Sequence, residues 1–349
     1  MENAEKQAEF VEKRSGIADR RIAVAPMMDW TDRHCRYFLR GFSKRVLLYT
    51  EMITAQAILR GDRERLLRFD PDEHPVALQL GGSEPDDLAR AARAGEEAGY
   101  DEINLNCGCP SDRVASGAFG ACLMREPDLV AESVAAMKAA VRLPVTVKMR
   151  IGVVAGRQRD THEAIAQVSE QDVAHLRDFI TKIREAGCDV AIIHARKAVL
   201  GGLSPKENRE IPPLRYDVVR EMKRAFPTLP VIVNGGFKDA SATREALTWC
   251  DGVMLGREAY HRPMILAQLD DSPVEAGSLR ESMLDRMAHY AAREMARGER
   301  LSSITRHMLG LYAGEPGARD YRRALSEGAR AADATADLIR RAAPSRAAA

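Results

Sequence analysis

The sequence predicts an α/β protein in which a (β/α)8 TIM barrel is followed by a C-terminal α-helical domain. From residue 21 onward, short β-rich runs alternate with longer helical patterns, which is typical of a parallel sheet with crossover helices. Eight such runs occur, the number that closes a barrel. The strand pattern stops near Pro273, and Ala, Leu and Arg at helical spacing dominate the remainder of the chain. The predicted strands are Ile22–Ala25, Leu47–Thr50, Val76–Leu80, Glu102–Leu105, Val145–Lys148, Val190–Ile193, Val231–Val233 and Gly252–Leu255.

Three segments between these strands carry the start and stop signals of helices. Segment 85–99 opens with proline and two acids, continues through good helix formers and ends at glycine. The same pattern recurs over 128–141, shortly before a proline, and over 175–186, directly before a glycine. We expect these segments to form outer helices of the barrel.

The chain divides into four predicted segments. Residues 1–16 are charged and poor in apolar side chains, so they predict a disordered leader and not a targeting peptide. Residues 17–272 form the predicted catalytic barrel, and 273–342 the helical domain. Residues 343–349 form a disordered Ala-Pro-Ser-Arg tail.

Composition and charge narrow the function classes. The formal net charge is +1, so a nucleic-acid contact requires a local basic patch rather than bulk charge. From residue 275 to the end there are thirteen arginines, no lysine and ten acidic residues. Six scattered cysteines without an apolar signal segment predict reduced thiols and a cytoplasmic protein. No run approaches the roughly twenty apolar residues of a membrane helix, so we expect no membrane association.

The stretch 101–110 carries the strongest chemical signal. It begins as an alternating strand and breaks at a glycine and a proline, which places Asn104, Asn106, Cys107 and Cys109 at the strand end. Cys107 is interpreted as a buried apolar residue, whereas Cys109 lies in a loop with little core to fill. Without a second Cys/His pair nearby we expect no metal site, and the spacing predicts two free thiols.

The carboxyl ends of the other strands carry further polar residues, which a barrel brings to one mouth. Glycine turns at 234–236 and 256–257 follow the last two strands and have the form of a phosphate site, in which backbone N–H groups approach an anion. Lys148 and His194 end apolar strands, and Gln79 offers an amide to a planar ring. The rival interpretations are a polar rim cap for the first two and a structural hydrogen bond for Gln79. Pro26, Met27 and Met28 offer apolar surface, although methionine pairs also serve as plain packing.

A phosphate site, a lysine, an amide and apolar surface together fit a flavin mononucleotide. The motifs that carry these groups closely resemble those of the tRNA-dihydrouridine synthases. The matching motifs are Ala25-Pro-Met-Met-Asp-Trp-Thr-Asp32, Asn104-Leu-Asn-Cys-Gly-Cys-Pro-Ser-Asp112, Val147-Lys-Met-Arg150, His194-Ala-Arg-Lys197 and Asn234-Gly-Gly236. Segments 203–214 and 256–260 are similar to the DusA subfamily, and the resemblance covers residues 21 to about 326.

The resemblance implies an FMN-dependent barrel that grips a tRNA together with its helical domain. It implies NADPH-driven reduction of the C5–C6 double bond of uridine in the D-loop, at positions 20 and 20a. In that chemistry reduced FMN passes hydride to C6 and a cysteine, here matched by Cys109, donates a proton to C5. Cys107 stands where the family pattern has a small apolar residue, so the match to the family assigns the acid to Cys109.

The site residues implied by the resemblance fall into two sets. The FMN contacts are Pro26, Met27, Met28, Gln79, Lys148, His194, Asn234, Gly235, Gly236, Gly256 and Arg257. The tRNA contacts are Asn106, Lys206, Arg209, Arg319 and Arg322, the last two within Gly317-Ala-Arg-Asp-Tyr-Arg-Arg323. An arginine-rich helix by itself equally fits a solvated face.

Residues 153–172 depart from the family pattern by apparent extra length after the fifth strand. We expect this insertion on the catalytic face, with Arg157 and Arg159 touching the tRNA backbone. We expect the free protein to be a monomer. Two rival functions remain: an FMN barrel acting on a small molecule, similar to dihydroorotate dehydrogenase, and a non-catalytic RNA-binding protein.

Overall fold

The structure, a computed structural model, describes residues 19–110, 119–155, 162–270 and 274–344. The predicted leader (1–16), most of the predicted tail, and Arg157 and Arg159 of the insertion lie outside these residues. At the centre is a closed barrel of eight parallel strands surrounded by helices, followed by a helical C-terminal part. The predicted fold class is confirmed.

Parallel pairing closes the barrel. β1 pairs with β2 and β11, β2 pairs with β4, and the circle is completed in the order β4, β5, β6, β8, β10 and β11. The short β3 extends the edge of β4, while β7 and β9 form a separate parallel pair. In chain order the described strands are β1 (Ile22–Val24), β2 (Leu47–Tyr49), β3 (Ile53–Thr54), β4 (Val76–Gly81), β5 (Glu102–Cys107), β6 (Val145–Arg150), β7 (Val153–Val154), β8 (Val190–His194), β9 (Ala198–Val199), β10 (Val231–Asn234) and β11 (Gly252–Leu255).

All eight predicted barrel strands are confirmed, but several run further toward the mouth than predicted. Asn106 pairs with Lys148 in register, and Arg150 pairs with His194. The polar residues that marked strand ends in the sequence are therefore still within the sheet. Neighbouring strands continue the hydrogen-bond ladder past the point where the apolar alternation ends.

The predicted outer helices are confirmed at α4, α5 and α7. α7 begins earlier than predicted because Ser169 and Asp172 form a reciprocal capping box ahead of Glu170. The described helices are α1 (Arg33–Arg40), α2 (Ala55–Arg60), α3 (Arg63–Leu67), α4 (Pro85–Ala98), α5 (Pro127–Ala140), α6 (His162–Ala166), α7 (Glu170–Glu185), α8 (Tyr216–Ala225), α9 (Ala240–Ala246), α10 (Arg257–His261), α11 (Met264–Leu269), α12 (Ala276–Met295), α13 (Leu301–Thr305), α14 (Ala318–Gly328) and α15 (Leu338–Arg341). Single 3-10 turns cover Pro71–Glu73, Gly120–Arg125 and Glu207–Arg209.

Strand alternation separates two cores. On β5, Ile103 and Leu105 belong to the large apolar cluster between the barrel and its helices. Their neighbours Glu102, Asn104 and Asn106 hydrogen-bond to other strands inside the barrel. A small apolar cluster lies at the same levels of the barrel as these polar groups and comprises Ala23, Ala25, Leu47, Tyr49, Ala77, Val190, Ile192, Ile232 and Met254.

The C-terminal helices α12 to α15 share one apolar cluster with β1, α1 and β11. Tyr37 of α1 stacks on Tyr290 of α12 with ring centroids 4.0 Å apart. Asp32, the N-cap of α1, accepts hydrogen bonds from Arg306 at 2.6 Å and from His307 at 2.9 Å. The helical part is therefore fixed to the loop that follows β1. Within the described part of the chain, no helix is both long and apolar enough to cross a bilayer.

Candidate active site

The turn that carries Cys109 is built by one asparagine. The side-chain oxygen of Asn106 accepts the backbone N–H of Gly108 and that of Cys109, both at 3.0 Å. The carbonyl of Cys109 accepts the N–H of Ala121 at 2.9 Å, which anchors the far side of the turn. A Cβ on Gly108 would lie 3.3 Å from the Met149 backbone, so the turn packs closely on β6. We call residues 107–110 the Cys109 turn.

The two thiols of this turn lie in different environments. Cys107 is fully buried in the apolar cluster outside the barrel, and this burial raises its pKa well above the usual thiol value. Cys109 is half-buried at the mouth, within electrostatic range of Lys148, Arg150 and Arg209. Neither thiol is in a disulfide, as the sequence predicted. Of the two, Cys109 is therefore the one that a ligand in the barrel can reach.

Gln79 and Asn106 form what we call the amide pair. Asn106 donates from Nδ2 to the Gln79 side-chain oxygen at 2.8 Å, and Gln79 donates from Nε2 to Asn104 at 2.8 Å. The Gln79 backbone N–H also donates to the Thr50 hydroxyl at 3.0 Å. Both amides thus bond within the protein, and Asn106, predicted as a tRNA contact, directly supports the Cys109 turn. The contact of Gln79 with FMN and the contact of Asn106 with tRNA stay predictions.

Basic side chains gather around the mouth. They are Lys148, Arg150, His194, Arg196, Arg209 and Arg257, which lie within electrostatic range of one another. Within the described residues no carboxylate pairs with Lys148, Arg150 or His194, whereas Glu210 pairs with Arg257 at 2.7 Å. Basic groups without balancing acids form a site for an anion. The excess of positive charge is local, since the whole chain carries a net charge of only +1.

The pKa values of these groups reflect the crowding. Burial, followed by the charge of Arg150, lowers the pKa of Lys148 to about 7. Burial and the nearby cations Arg150 and Lys148 hold the pKa of His194 well below its usual value. His194 is therefore a neutral imidazole near pH 7, while Lys148 exchanges between its two forms.

Arg150 joins the Cys109 turn to the loops after β8. Its guanidinium donates to the carbonyls of Gly108 at 3.2 Å, Lys197 at 3.2 Å and Asn208 at 3.0 Å. Burial lowers its pKa to about 9. From the sequence Arg150 was predicted only as part of a strand-end motif, and the structure assigns it this bracing position.

The turns after β10 and β11 provide bare backbone. Gly235 and Gly236 adopt φ of 112° and 83°, the left-handed region that favours glycine. A Cβ at Gly236 would lie 2.4 Å from Leu214, while one at Gly256 would meet nothing within 4 Å. Asn234 donates to the Met254 carbonyl at 2.7 Å and so ties the two turns together. The turn at Gly256 thus leaves room for a group close to the backbone, whereas Gly235 and Gly236 pack against neighbouring side chains.

The loop after β1 contributes the apolar surface that the sequence predicted. Met28 is 55% exposed, and Met27 packs toward the C-terminal helices. Pro26, directly after the buried end of β1, is half-buried. Trp30 closes this loop by stacking on Tyr260 with centroids 4.5 Å apart. This aromatic pair was not predicted from the sequence, because its members lie far apart along the chain.

The remaining predicted tRNA residues lie in two places. Lys206 and Arg209 are exposed on the segment after β9, which the buried side chain of Asn208 anchors through the Val199 carbonyl at 3.0 Å. Arg319 and Arg322 are exposed on α14, whose buried side is formed by Tyr321 and Leu325. The structure brings Arg209 to the Cys109 turn, whereas Arg319 and Arg322 belong to the helical part.

A closed parallel barrel with a thiol, basic side chains and glycine turns at its mouth defines a TIM-barrel enzyme with a basic candidate site at the carboxyl ends of its strands. Within this class the chain belongs to the dihydrouridine synthase family, since the family model described as "Dihydrouridine synthase (Dus)" matches residues 23–348.

Curated relatives agree with the family model over most of their length. The chain is 54% identical to the tRNA-dihydrouridine(20/20a) synthase of Pseudomonas aeruginosa, over 88% of this chain and 89% of the relative. It is 54% identical to the synthase of that name from Pseudomonas syringae pv. tomato, over 90% of each chain. The synthase of that name from Synechocystis sp. is 51% identical, over 91% of this chain and 92% of the relative.

Proposed function

We propose that this enzyme reduces the C5–C6 double bond of uridine in the D-loop of tRNA, at the positions 20 and 20a for which its relatives are named. One observation carries the proposal. Cys109 is a half-buried thiol on a turn fixed by Asn106, and it lies beside Lys148 and Arg150 at the barrel mouth. A thiol held at a fixed place beside a ligand site is suited to donate a proton to a carbon atom.

The mouth fits FMN as the resident cofactor. The basic groups Lys148 and Arg150 suit its phosphate, the open position at Gly256 allows close approach to backbone, and Met28 offers an exposed apolar surface to the ring. The chemistry that FMN would supply there, once reduced by NADPH, is a hydride for C6 of the uracil. The residues proposed to hold it are Pro26, Met27, Met28, Gln79, Lys148, His194, Asn234, Gly235, Gly236, Gly256 and Arg257.

Cys109 supplies the proton for C5. The S–H bond of Cys109 breaks as the new C–H bond at C5 forms, which completes the reduction of the double bond. Asn106 fixes the position of the thiol, because its side-chain oxygen accepts the Cys109 backbone N–H at 3.0 Å. Arg150 braces the same turn through the Gly108 carbonyl at 3.2 Å. The protein thus controls where the proton is delivered.

The RNA reaches this thiol only if the target base leaves its stack. Flipping a base costs a few kcal/mol, which backbone contacts elsewhere must offset. We assign those contacts to Lys206 and Arg209 near the mouth and to Arg319 and Arg322 on α14. All four side chains are exposed, as phosphate contacts require. Residues 273–342 are accordingly proposed as the tRNA-binding domain.

We also propose that the enzyme works as a monomer in the cytoplasm and without a metal ion. None of the six cysteines is in a disulfide, which supports a reducing compartment. In the described ranges no three His, Cys, Asp or Glu side chains are grouped closely enough to hold a metal ion.

The test is a flavin assay. Purified protein is loaded with FMN, reduced with NADPH under anaerobic conditions, and mixed with tRNA that lacks dihydrouridine. We expect the flavin absorbance to return with the tRNA and not with free uridine or a small acceptor such as orotate. Return with the small acceptor alone would support a small-molecule oxidoreductase and contradict the RNA substrate. If the protein binds tRNA but no FMN, the proposal of an FMN-dependent enzyme is contradicted.

A further inference from the structure

A row of buried hydrogen bonds runs through the barrel from Arg20 toward the Cys109 turn. Arg20 donates to one carboxylate oxygen of Glu102, at 2.8 Å from Nε and 2.6 Å from Nη2. The Thr146 hydroxyl donates to the other oxygen at 2.6 Å, and Asn104 donates from Nδ2 to the Thr146 oxygen at 2.8 Å. The side-chain oxygen of Asn104 accepts a hydrogen bond from Gln79 of the amide pair. Asn106, the other member of the pair, accepts the backbone N–H groups of the Cys109 turn.

Between the Cys109 turn and Glu102, every hydrogen bond in this row is donated toward Glu102. Glu102 as a carboxylate only accepts, so the single hydroxyl hydrogen of Thr146 is committed to it. The Thr146 oxygen must therefore accept, which turns the amide nitrogen of Asn104 toward it. By the same rule the Asn104 oxygen accepts from Gln79 and the Gln79 oxygen accepts from Asn106. The oxygen of Asn106 is thereby left for the Cys109 turn.

Burial makes this direction hard to reverse. Glu102, Asn104 and Thr146 are 0% exposed, so water is not at hand to replace a lost partner. A buried donor that faces another donor loses its hydrogen bond. In a network, one reversed group therefore requires each neighbouring group to reverse as well, or leaves a donor without an acceptor. At the mouth, a reversed Asn106 would present its NH2 group to two backbone N–H groups.

We propose that Glu102 is a positioning residue for the Cys109 thiol. Its charge at the base of the barrel sets the orientation of three successive amides and so fixes the turn that carries the thiol. Glu102 acts through Thr146, Asn104 and the amide pair and does not touch the substrate. The inference rests on the proposed function of Cys109, while its structural part is measurable without catalysis.

The test variant is Glu102→Gln, which keeps the size of the side chain. Arg20 only donates, so the glutamine oxygen turns to Arg20 and its NH2 group faces Thr146. Because this NH2 group donates, the Thr146 hydroxyl must accept from it and turn its own hydrogen toward Asn104. The amides of Asn104, Gln79 and Asn106 then reverse in turn. We expect kcat for tRNA reduction to fall by roughly 100-fold, the effect of a small misplacement of a reacting group. KM for tRNA and the rate of flavin reduction by NADPH should change by less than about tenfold, because Gln79 and Asn106 keep their places and change only the amide group that they present to FMN and tRNA.

Tyr49→Phe is the matched control. The Tyr49 hydroxyl donates at 2.5 Å to the Glu102 oxygen that also accepts from Thr146. Loss of this hydroxyl removes a buried hydrogen bond but leaves the direction of the hydrogen bonds from Thr146 to Asn106 unchanged. We expect Tyr49→Phe to lose stability and to keep its kcat within about threefold of wild type. If its kcat falls as far as that of Glu102→Gln, the direction of the row is irrelevant and the proposal is overturned.

A second pair of variants tests the row without disturbing the Arg20 ion pair. Thr146→Ser keeps the hydroxyl and should retain the wild-type kcat. Thr146→Val removes it and should lose kcat as Glu102→Gln does. Equal activity of the serine and valine variants would contradict the proposal, even if Glu102→Gln itself fails to fold.

Alkylation separates this inference from the proposed function. The rate at which iodoacetamide modifies Cys109 is measured by peptide mass spectrometry, with half-exposed Cys122 as the internal reference. We expect the ratio of rates to rise severalfold in Glu102→Gln and to stay unchanged in Tyr49→Phe. An unchanged ratio in Glu102→Gln overturns the positioning role. A raised ratio in a protein whose wild type makes no dihydrouridine would refute only the proposed function.

Discussion

Gly235 lies directly against the imidazole of His194. A Cβ at position 235 would stand 2.5 Å from Cδ2 and 2.8 Å from Nε2 of His194, and the φ of 112° excludes ordinary side chains. The absence of a side chain at Gly235 therefore sets the position of the ring at the mouth.

This contact predicts that Gly235→Ala loses FMN affinity without loss of the fold. The added methyl group must displace His194 from the proposed phosphate site, and we expect the affinity to fall at least about tenfold, equivalent to about 1.4 kcal/mol. Fluorescence titration of apoprotein with FMN measures the change. Gly298→Ala is the control because Gly298 has a similarly positive φ of 94°, lies outside the proposed FMN contacts and has nothing within 4 Å of a Cβ. Equal losses in both variants would contradict the role of the His194 contact.

The pKa of Lys148, lowered to about 7, predicts a pH dependence of FMN binding. An anionic or electron-rich ligand favours the protonated amine, so binding is coupled to proton uptake above the pKa of the free protein. Affinity should therefore be highest near pH 7 and fall toward about pH 9, by up to about tenfold per pH unit. Titrations at several pH values test this, with Lys148→Met expected to bind weakly and without the slope. A wild-type affinity that is flat over this range would rule out Lys148 as the titrating contact.

The arginines of α14 predict a change in the salt dependence of tRNA binding. Arg319 and Arg322 are exposed without an ion pair in the described residues, whereas Arg323 pairs with Asp320 at 3.2 Å. Loss of one phosphate contact lowers the slope of log affinity against log salt by about 0.7–0.9. We expect this for Arg319→Ala and for Arg322→Ala, measured by filter binding, and a smaller effect for Arg323→Ala. The same slope in all three variants and in wild type would remove α14 from the interface.

Asp32 predicts an acid-sensitive junction between the barrel and the C-terminal helices. Burial alone would raise the pKa of Asp32, but the hydrogen bond and charge of His307, with the Cys35 N–H, hold it below the usual range. Since the folded pKa is lowered, the stabilisation is present above the unfolded pKa of about 4 and is lost as pH falls below it.

Asp32→Asn keeps an N-cap oxygen for α1 but lacks this charge. We expect it to unfold about 1–3 kcal/mol more easily at pH 7 and to show a weaker acid dependence in urea titrations. An unchanged midpoint at pH 7 would contradict the predicted contribution of this junction.

Much of the fold was predictable because its pattern is local. Short β-rich runs between helical segments indicated all eight barrel strands, and the rule that parallel strands share a mouth brought Cys109, Lys148 and His194 together. The row from Glu102 to Asn106 was not predicted, since it depends on the register between β4, β5 and β6. Its signal in the sequence was Glu102, Asn104 and Asn106 at alternate positions of one buried strand. The pair β7 and β9 was missed because two-residue strands carry no period.

The separation of Cys107 from Cys109 also required the structure. From its residue type Cys107 was interpreted as a buried apolar residue, but only the packing against the outer helices shows that its thiol is closed off in apolar surroundings. The bracing by Arg150 depends on three carbonyls from distant loops. No spacing in the sequence reports such a contact.

The most direct test of the central claim is to locate dihydrouridine in tRNA. The FMN-loaded wild type, Cys109→Ala and Cys107→Ala are each incubated with NADPH and unmodified tRNA, and the product is mapped by nuclease digestion and mass spectrometry. We predict dihydrouridine at positions 20 and 20a, the positions in the names of the relatives, with wild type and Cys107→Ala. Cys109→Ala should form at least about 100-fold less, in line with the loss of a general acid. Full activity of Cys109→Ala, or modification elsewhere in the tRNA by wild type, would contradict the account.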